Sequence, residues 1–128
     1  MPTDTTSYRT YTKAEAQAAL AYVSTIAEDI KTHYANRVML EHLLSETPAD
    51  AKERDQYTRA LNMHDSAIDR YEDELDRMGL YCTDRTLGQI CFPTADANSV
   101  WSWRVGMVRH VFLISAQVTD PDVDGEDE

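Results

Sequence analysis

Two histidines and one aspartate have the residue types and the spacing of a metal site built between two helices. His33 and His64 both fall on the apolar stripe of a predicted helix, and Asp29 lies one turn before His33 on the same face. If the chain reverses near residues 47 and 48, residue i of the first helix faces residue 97 − i of the second, which pairs His33 with His64. Two imidazoles and a carboxylate are suitable ligands for a divalent transition metal.

A metal is not the only interpretation of this histidine pair. Neither His33 nor His64 has a carboxylate three residues earlier, so the Glu-x-x-His motif of di-iron helical bundles is missing. The alternative is a structural pair, hydrogen-bonded to each other or to Tyr34 or Tyr71. We favour the structural pair because only three ligands are visible.

A second polar group lies in the C-terminal third of the chain and is basic in an otherwise acidic protein. Arg104 lies between Trp103 and Val105 on an alternating segment, so its guanidinium is expected on the face opposite the tryptophan, where it could bind a carboxylate or phosphate bidentately. The alternative, which we favour because structural ion pairs are commoner than anion sites, is an internal ion pair, for instance between Arg104 and Asp84. The candidate ligand-binding residues are Asp84, Arg104, Arg109 and His110, with Arg85 beside them.

Composition narrows the classes of function. The 128 residues carry a formal charge of −11, and six of the acids lie in the last nine residues, which leaves −5 on the rest. Such a chain is repelled by phosphate backbones and anionic lipid, so we expect neither nucleic acid nor membrane as a partner. The sequence contains none of the P-loop, dinucleotide-binding, nucleophile-elbow and HExxH motifs, so we assign no catalytic residue. We therefore expect a binding protein rather than an enzyme.

The setting predicted for the chain is the cytoplasm. The N-terminal residues are polar and lack the basic and apolar regions of a signal peptide, and no stretch approaches the roughly 20 apolar residues of a membrane span. Cys82 and Cys91 lack metal-ligand spacing and are expected to be free thiols there. A disulfide between two neighbouring strands is the minority alternative.

Two long helices must position the histidines. Thr12 and Glu15 have the spacing of a capping box, and no Gly or Pro follows until Pro48, which predicts a helix over about 13–46. Thr47 and Pro48 suit the cap and first position of a second helix over about 48–78, ended by Gly79. The apolar positions of this second helix repeat at spacings of 4 and 3, which is typical of a coiled coil: Tyr57, Leu61, His64, Ile68, Tyr71, Leu75 and Met78.

A small sheet must position the arginines. After Gly79 the apolar period changes from about 3.6 to 2, which predicts strands over about 89–93, 99–105 and 107–115. The predicted fold is therefore α+β: a long antiparallel two-helix hairpin followed by a small three-stranded antiparallel sheet, forming a single domain over 1–118. The acidic segment 119–128 is predicted to be a disordered tail.

The length of the helices predicts assembly. Helices of about 30 residues are roughly 45–50 Å long, whereas a compact domain of this chain length is roughly 36 Å across. The small sheet cannot cover both faces of such a hairpin, so we expect a homodimer that forms a four-helix core. The alternative is that one helix breaks, near Arg37 or Asp50, and folds back within the monomer.

A set of residues spread over the chain also matches the pattern of a known family: Tyr11, Thr12, Glu15, Ala16, Met78, Gly79, Leu80, Asp84, Gly88, Ile90, Phe92, Pro93, Val100, Trp103, Arg104 and Gly106. The pattern is similar to that of the bacterial family of unknown function numbered 2203, and it differs from that family by having Met107 where an acid usually follows Trp-Arg-x-Gly. His110 could correspond to the histidine of the family's later Trp-His-Glu. The resemblance implies a helical region followed by a small β region and implies no activity.

Two functional hypotheses follow from the sequence. The first is a non-catalytic, helix-mediated dimeric assembly or interaction module. The alternative is a protein that binds a divalent transition metal or a small anion and has a cryptic activity. The first hypothesis predicts a dimer whose stability does not depend on chelators. The second predicts that chelators lower the melting temperature.

Overall fold

The first helix begins at the capping box that the sequence predicts. The Thr12 hydroxyl accepts from the backbone N–H of Glu15 at 3.1 Å, and the Glu15 carboxylate accepts from the N–H of Thr12 at 2.9 Å. The structure, a computed structural model, describes residues 9–115. Helix α1 occupies Lys13–Ser45 and helix α2 occupies Glu53–Arg77, so the predicted antiparallel hairpin is confirmed.

The second helix begins later than the sequence predicts. Thr47 does not cap it, because the Thr47 hydroxyl donates back to the carbonyl of Leu43 at 2.5 Å. Pro48 begins a separate turn instead, in which the Ala51 N–H donates to the Pro48 carbonyl at 3.1 Å. The Arg54 guanidinium donates to the carbonyls of Leu44 and Thr47 and so satisfies backbone acceptors at the end of α1. The prediction of a helix from residue 48 was therefore wrong by five residues.

The sheet has four antiparallel strands, not the three that the period of the sequence predicts. They are β1 (Tyr81–Asp84), β2 (Gln89–Pro93), β3 (Ser99–Arg104) and β4 (Phe112–Ser115), and they lie in the order of the chain. The missed strand β1 is four residues long and directly follows the helix terminator, which leaves too few residues for an alternating pattern to stand out. Its pairing with β2 also contains an irregularity between Cys82 and Asp84.

The last strand is shorter than predicted because its first residues form a loop. The Trp103 indole N–H donates to the carbonyl of Val108 at 2.9 Å, which holds that loop against the end of β3. Gln17 of α1 fixes the other side of the loop. Its side-chain amide donates to the carbonyl of Arg109 at 2.8 Å, and its oxygen accepts from the N–H of Val111 at 3.0 Å. Because these bonds use backbone groups of the loop, those groups are not paired with β3.

The core lies at one end of the hairpin. Helix α1 is buried only between Ala16 and Ile30, and the buried residues of α2 are Ala67, Ile68 and Leu75. The inner face of the sheet packs against this half of the hairpin and contributes Ile90, Phe92 and Trp103. Every residue from 31 to 66 is at least partly exposed, and we call this stretch the distal half of the hairpin.

Tyr11 joins the three parts of the core. It is 3% exposed, its hydroxyl donates to the carbonyl of Met78 at 2.6 Å, and its ring packs edge-on against Phe92 at 5.3 Å. Its N–H donates to the carbonyl of Pro93 at 2.7 Å. The residue before the capping box therefore ties the start of α1 to the end of α2 and to β2.

Both cysteines are free, as the sequence predicts. The strand register explains why. Tyr81 faces Cys91 across β1 and β2, whereas Cys82 faces Ile90, so the two thiols lie on opposite faces of the sheet. Side chains on opposite faces cannot form a disulfide without a change of register.

Neither of the two helices that the structure describes combines the length and the apolar character needed to cross a lipid bilayer. The predicted domain limit at residue 118 and the predicted tail over 119–128 lie outside the described residues.

Candidate functional site

His33 of α1 and His64 of α2 meet across the hairpin as the sequence predicts. Their Nδ1 atoms are 2.8 Å apart, and the ring centroids are 5.1 Å apart with the planes inclined by 53°. At this distance one Nδ1 donates a hydrogen bond and the other accepts it. Both rings are half-buried, so they lie in contact with solvent at the edge of the helical interface.

Two further contacts between the helices flank the histidine pair. The Tyr71 hydroxyl donates to Asp29 Oδ2 at 2.8 Å, and this hydrogen bond, followed by desolvation, raises the pKa of Tyr71. The Arg37 guanidinium pairs with the Asp65 carboxylate, and that hydrogen bond raises the pKa of Arg37. We call these six residues the interhelical polar layer: Asp29, His33, Arg37, His64, Asp65 and Tyr71.

The layer supplies two imidazole donors, and the proposed third ligand has another partner. The Asp29 carboxylate accepts from Tyr71, while Asp65, the other nearby carboxylate, accepts from Arg37. Over residues 9–115, no group of three or more His, Cys, Asp or Glu side chains is placed to hold a metal ion. A mononuclear site would therefore need Asp29 to exchange its tyrosine for the ion, or solvent to complete the coordination.

The second predicted group is dispersed around the sheet. Asp84 Oδ1 accepts from the backbone N–H groups of Thr86 and Leu87 at 2.9 and 3.2 Å, so this carboxylate closes the turn between β1 and β2. Arg85 binds Glu72 of α2 with two hydrogen bonds of 2.7 and 2.8 Å, which raise the pKa of Arg85 and join the turn to the helix.

The ion pair predicted between Asp84 and Arg104 is absent from the described residues. The register places Asp84 opposite Gln89 and Gln89 opposite Arg104, so a whole strand separates the two charges. Adjacent strands lie about 4.8 Å apart, which puts the two backbones roughly 10 Å from each other. The prediction was wrong because it did not include the strand that carries Asp84.

Arg109 and His110 lie in the loop between β3 and β4. Both are exposed, and the His110 ring packs edge-on against Phe112 at 5.3 Å. Within residues 9–115, neither residue forms a hydrogen bond or an ion pair with Arg104 or Asp84. The structure therefore does not assemble the four predicted residues into one site.

Sequence reasoning missed the partner of Arg37 and the polar residues of the outer sheet face. Asp65 lies five residues from the position that the 97 − i relation assigns to Arg37, which is between one and two helical turns, so the relation did not find this pair. On the sheet, Gln89 Nε2 donates to Ser102 Oγ at 3.2 Å. The alternation that predicted β2 and β3 also places these two side chains on one face, opposite the tryptophan.

The distal half of the hairpin presents apolar side chains to solvent. Val38 is 45% exposed, Met39 is 54% exposed and Met63 is 56% exposed. Half-buried leucines accompany them, namely Leu40, Leu43, Leu44 and Leu61. Exposed large apolar side chains that cluster on a surface are typical of an interaction site.

Comparison with known proteins identifies the family and gives no further relative. No match was found among curated proteins or among solved structures. Residues 9–109 match the family described as "Uncharacterized conserved protein (DUF2203)", and this range includes the whole hairpin, the first three strands and the interhelical polar layer. The chain therefore belongs to the DUF2203 family.

Proposed function

We propose that the protein is a non-catalytic assembly module that forms a homodimer through the distal half of its hairpin. The observation that carries this proposal is the absence of any buried residue from 31 to 66, together with the exposed Val38, Met39 and Met63. Helices owe most of their stability to tertiary packing of an apolar face. A second copy would supply the packing that the described part of the monomer does not give to this half.

The charge distribution also supports self-association. Residues 31–66 contain five Lys or Arg and six Asp or Glu, so this half is nearly neutral in a chain of charge −11. Two copies would therefore meet without the repulsion that the rest of the protein imposes. The apolar repeat of α2 continues through this region at Tyr57 and Leu61, which suits pairing of the hairpins into a four-helix core.

The proposal is tested by the mass of the protein in solution. Light scattering across a range of concentrations should give twice the mass of one chain. Met63→Glu should shift the equilibrium to the monomer, because a carboxylate at the centre of a new interface would lose its hydration. Met63 is exposed in the monomer, so the substitution should leave the helix content seen by circular dichroism unchanged.

Val108→Glu is the matched control. Val108 is 70% exposed in the loop beside the sheet and lies far along the chain from the hairpin tip. This variant should keep the mass of the dimer. A wild-type protein that is monomeric at every concentration would overturn the proposal, and so would a dimer that Val108→Glu dissociates and Met63→Glu does not.

We propose as a second candidate that the histidine pair binds a divalent transition metal. The supporting observation is the 2.8 Å contact between Nδ1 of His33 and Nδ1 of His64. Two imidazoles bound to one tetrahedral ion at about 2.0–2.1 Å have their nitrogens roughly 3.4 Å apart, so a small opening of the pair would admit the ion. Asp29 is the candidate for a third ligand.

Elemental analysis and thermal melting with and without chelator test the metal candidate. Bound zinc, nickel or cobalt should raise the melting temperature, and His33→Ala or His64→Ala should remove both the metal and the shift. His42→Ala is the control, because His42 lies on the exposed end of α1 with a side chain 68% accessible. A purified protein that contains no metal and whose melting temperature does not change with added ions would reject this candidate. The dimer proposal would not be affected.

We infer that the module works in the reducing environment of the cytoplasm. Its two cysteines are free and lie on opposite faces of the sheet, so neither contributes a stabilising disulfide. We also expect neither nucleic acid nor lipid as a partner, because of the charge of −11. Failure to bind DNA or anionic vesicles at low salt is the expected result.

A further inference from the structure

The two faces of the sheet have different surroundings. The inner face packs on the helices through Ile90, Phe92 and Trp103. The outer face carries a row of four residues, one from each strand, that lie opposite one another: Tyr81, Cys91, Ser102 and Phe112. We call this the outer sheet face. None of these four residues belongs to the apolar core between the sheet and the hairpin.

Two adjoining hollows open on the outer sheet face. The first has a volume of about 330 Å³ and an apolar lining that includes Tyr81 and Val100. The second, of about 240 Å³, is lined by Ser102, Arg104 and Phe112 among others. Gln89 and Ile114 line both hollows, so the two lie side by side, and we call them together the depression. Its combined size falls in the range of small-molecule sites.

The depression has one polar, cationic end and one apolar end. At the polar end, the Gln89 amide donates to the Ser102 hydroxyl at 3.2 Å. The side chain of Arg104, in the same wall, makes no hydrogen bond or ion pair with any other residue of 9–115, whereas Arg37 and Arg85 both have carboxylate partners. A guanidinium without a carboxylate partner, placed in the wall of a hollow, can pair with an external anion.

We propose that the outer sheet face binds a small amphipathic organic anion. The anionic head group, a carboxylate or a phosphate, pairs with the guanidinium of Arg104, and the apolar body lies over Phe112, Ile114 and Val100 in the two hollows. Planar, bidentate pairing of arginine with either head group provides the specificity. This site is separate from the dimer surface proposed above, since no residue of the hairpin lines it.

Amide chemical shifts of the full chain, titrated with three matched probes, test the proposal. The probes are sodium octanoate, octyl phosphate and octanol, which share an eight-carbon body and differ in the head group. One of the two anions should shift the amides of β2, β3 and β4 and bind about tenfold more tightly than octanol. Whichever anion binds more tightly identifies the head group that the site prefers.

Two arginine variants separate the site from general attraction of anions. Arg104→Gln should weaken binding of the anion by about tenfold and leave the affinity for octanol unchanged. Arg59→Gln is the control, because Arg59 is exposed on the distal half of the hairpin, and it should leave both affinities unchanged. Phe112→Ala should weaken the binding of the anion and of octanol alike, since it removes apolar surface from the wall of the depression.

Three results would overturn the proposal. One is the absence of amide shifts in the sheet with either anion up to about 10 mM, because a dissociation constant above that concentration would be too weak for a specific site. Another is equal loss of affinity in Arg104→Gln and Arg59→Gln. The third is a pattern of shifts confined to the hairpin, which would place the probe on the dimer surface instead.

Discussion

His33 and His64 touch through their Nδ1 atoms at 2.8 Å, although 31 positions of the chain separate them. The contact lies at the boundary of the core, three residues beyond Ile30, the last buried residue of α1. The pair therefore connects the two helices just beyond the buried part of α1. The neighbouring Arg37–Asp65 and Tyr71–Asp29 contacts strengthen the same boundary.

We expect the histidine pair to stabilise the hairpin measurably. His33→Ala and His64→Ala should each lower the free energy of unfolding by about 1–2 kcal/mol, and the double variant should reveal a coupling of about 1 kcal/mol. Urea unfolding at neutral pH measures all four states of the cycle. His42→Ala, on the exposed end of α1, should change stability by less than about 0.5 kcal/mol. Additive single effects would contradict a direct bond.

Gly88 should tolerate no side chain, because α1 approaches it closely. Its φ is +63°, and an added Cβ would lie 2.7 Å from Cγ2 of Val105 and 2.9 Å from the backbone oxygen of Ala27. Gly106 also has a positive φ, +97°, but a Cβ there meets nothing within 4 Å. Gly88→Ala should therefore cost at least about 2 kcal/mol more than Gly106→Ala. Similar losses measured by thermal or urea unfolding would show that backbone strain alone matters.

The capping box should account for part of the stability of α1. Thr12→Ala removes the acceptor for the Glu15 N–H and should lower the free energy of unfolding by about 1 kcal/mol. Thr25→Ala is the matched control, since the Thr25 hydroxyl only donates to the Tyr22 carbonyl within the helix. That variant should be neutral or slightly stabilising, because alanine has the higher helix propensity. Equal losses would mean that the cap is not formed in solution.

Alkaline pH should destabilise the protein through the thiol of Cys91. Burial raises the pKa of Cys91 above its ordinary value, although hydrogen bonds with Thr83, Ser102 and Tyr81 partly oppose the shift. The folded thiol therefore keeps its proton after the unfolded one has lost it. Stability is fully present below about pH 8.5, where free cysteine ionises, and falls as the pH rises towards the pKa of the folded thiol.

Urea unfolding between pH 7.5 and 9.5, a range around the ordinary cysteine pKa of about 8.5, measures this loss. Cys91→Ala should reduce the slope of stability against pH, and some slope should remain because burial also raises the pKa of Cys82. Thr25→Ala again serves as the control and should keep the wild-type slope. If Cys91→Ala and wild type lose stability equally, the thiol is ionised in the folded state as easily as in the unfolded one.

The hairpin was predictable because its signals are local. The capping box spans four residues, and Gly79, at φ +79°, ends the second helix where an L-residue would be strained. The pairing of His33 with His64 followed from the position of the reversal alone. The start of α2 was not predictable in the same way, since the Arg54 guanidinium and the Thr47 hydroxyl bind carbonyls at the end of α1 that only the folded turn brings within reach.

The candidate sites were predictable in part. The alternation of β3 correctly separated Arg104 from Trp103, and so placed the guanidinium on the outer sheet face. The partner assigned to Arg104 was wrong because β1, which carries Asp84, pairs with β2 and not with β3. Strand order depends on contacts between distant residues, which no local pattern specifies.

The sequence by itself determined the α+β class, the antiparallel hairpin and the two faces of β3, because these depend on backbone capping and apolar period over a few residues. Only the tertiary structure decided which half of the hairpin is buried and which residues share the outer sheet face. The physical reason is that burial depends on how far a second element extends. Full burial of α1 ends at Ile30, and every residue from 31 to 66 is at least partly exposed in the described chain.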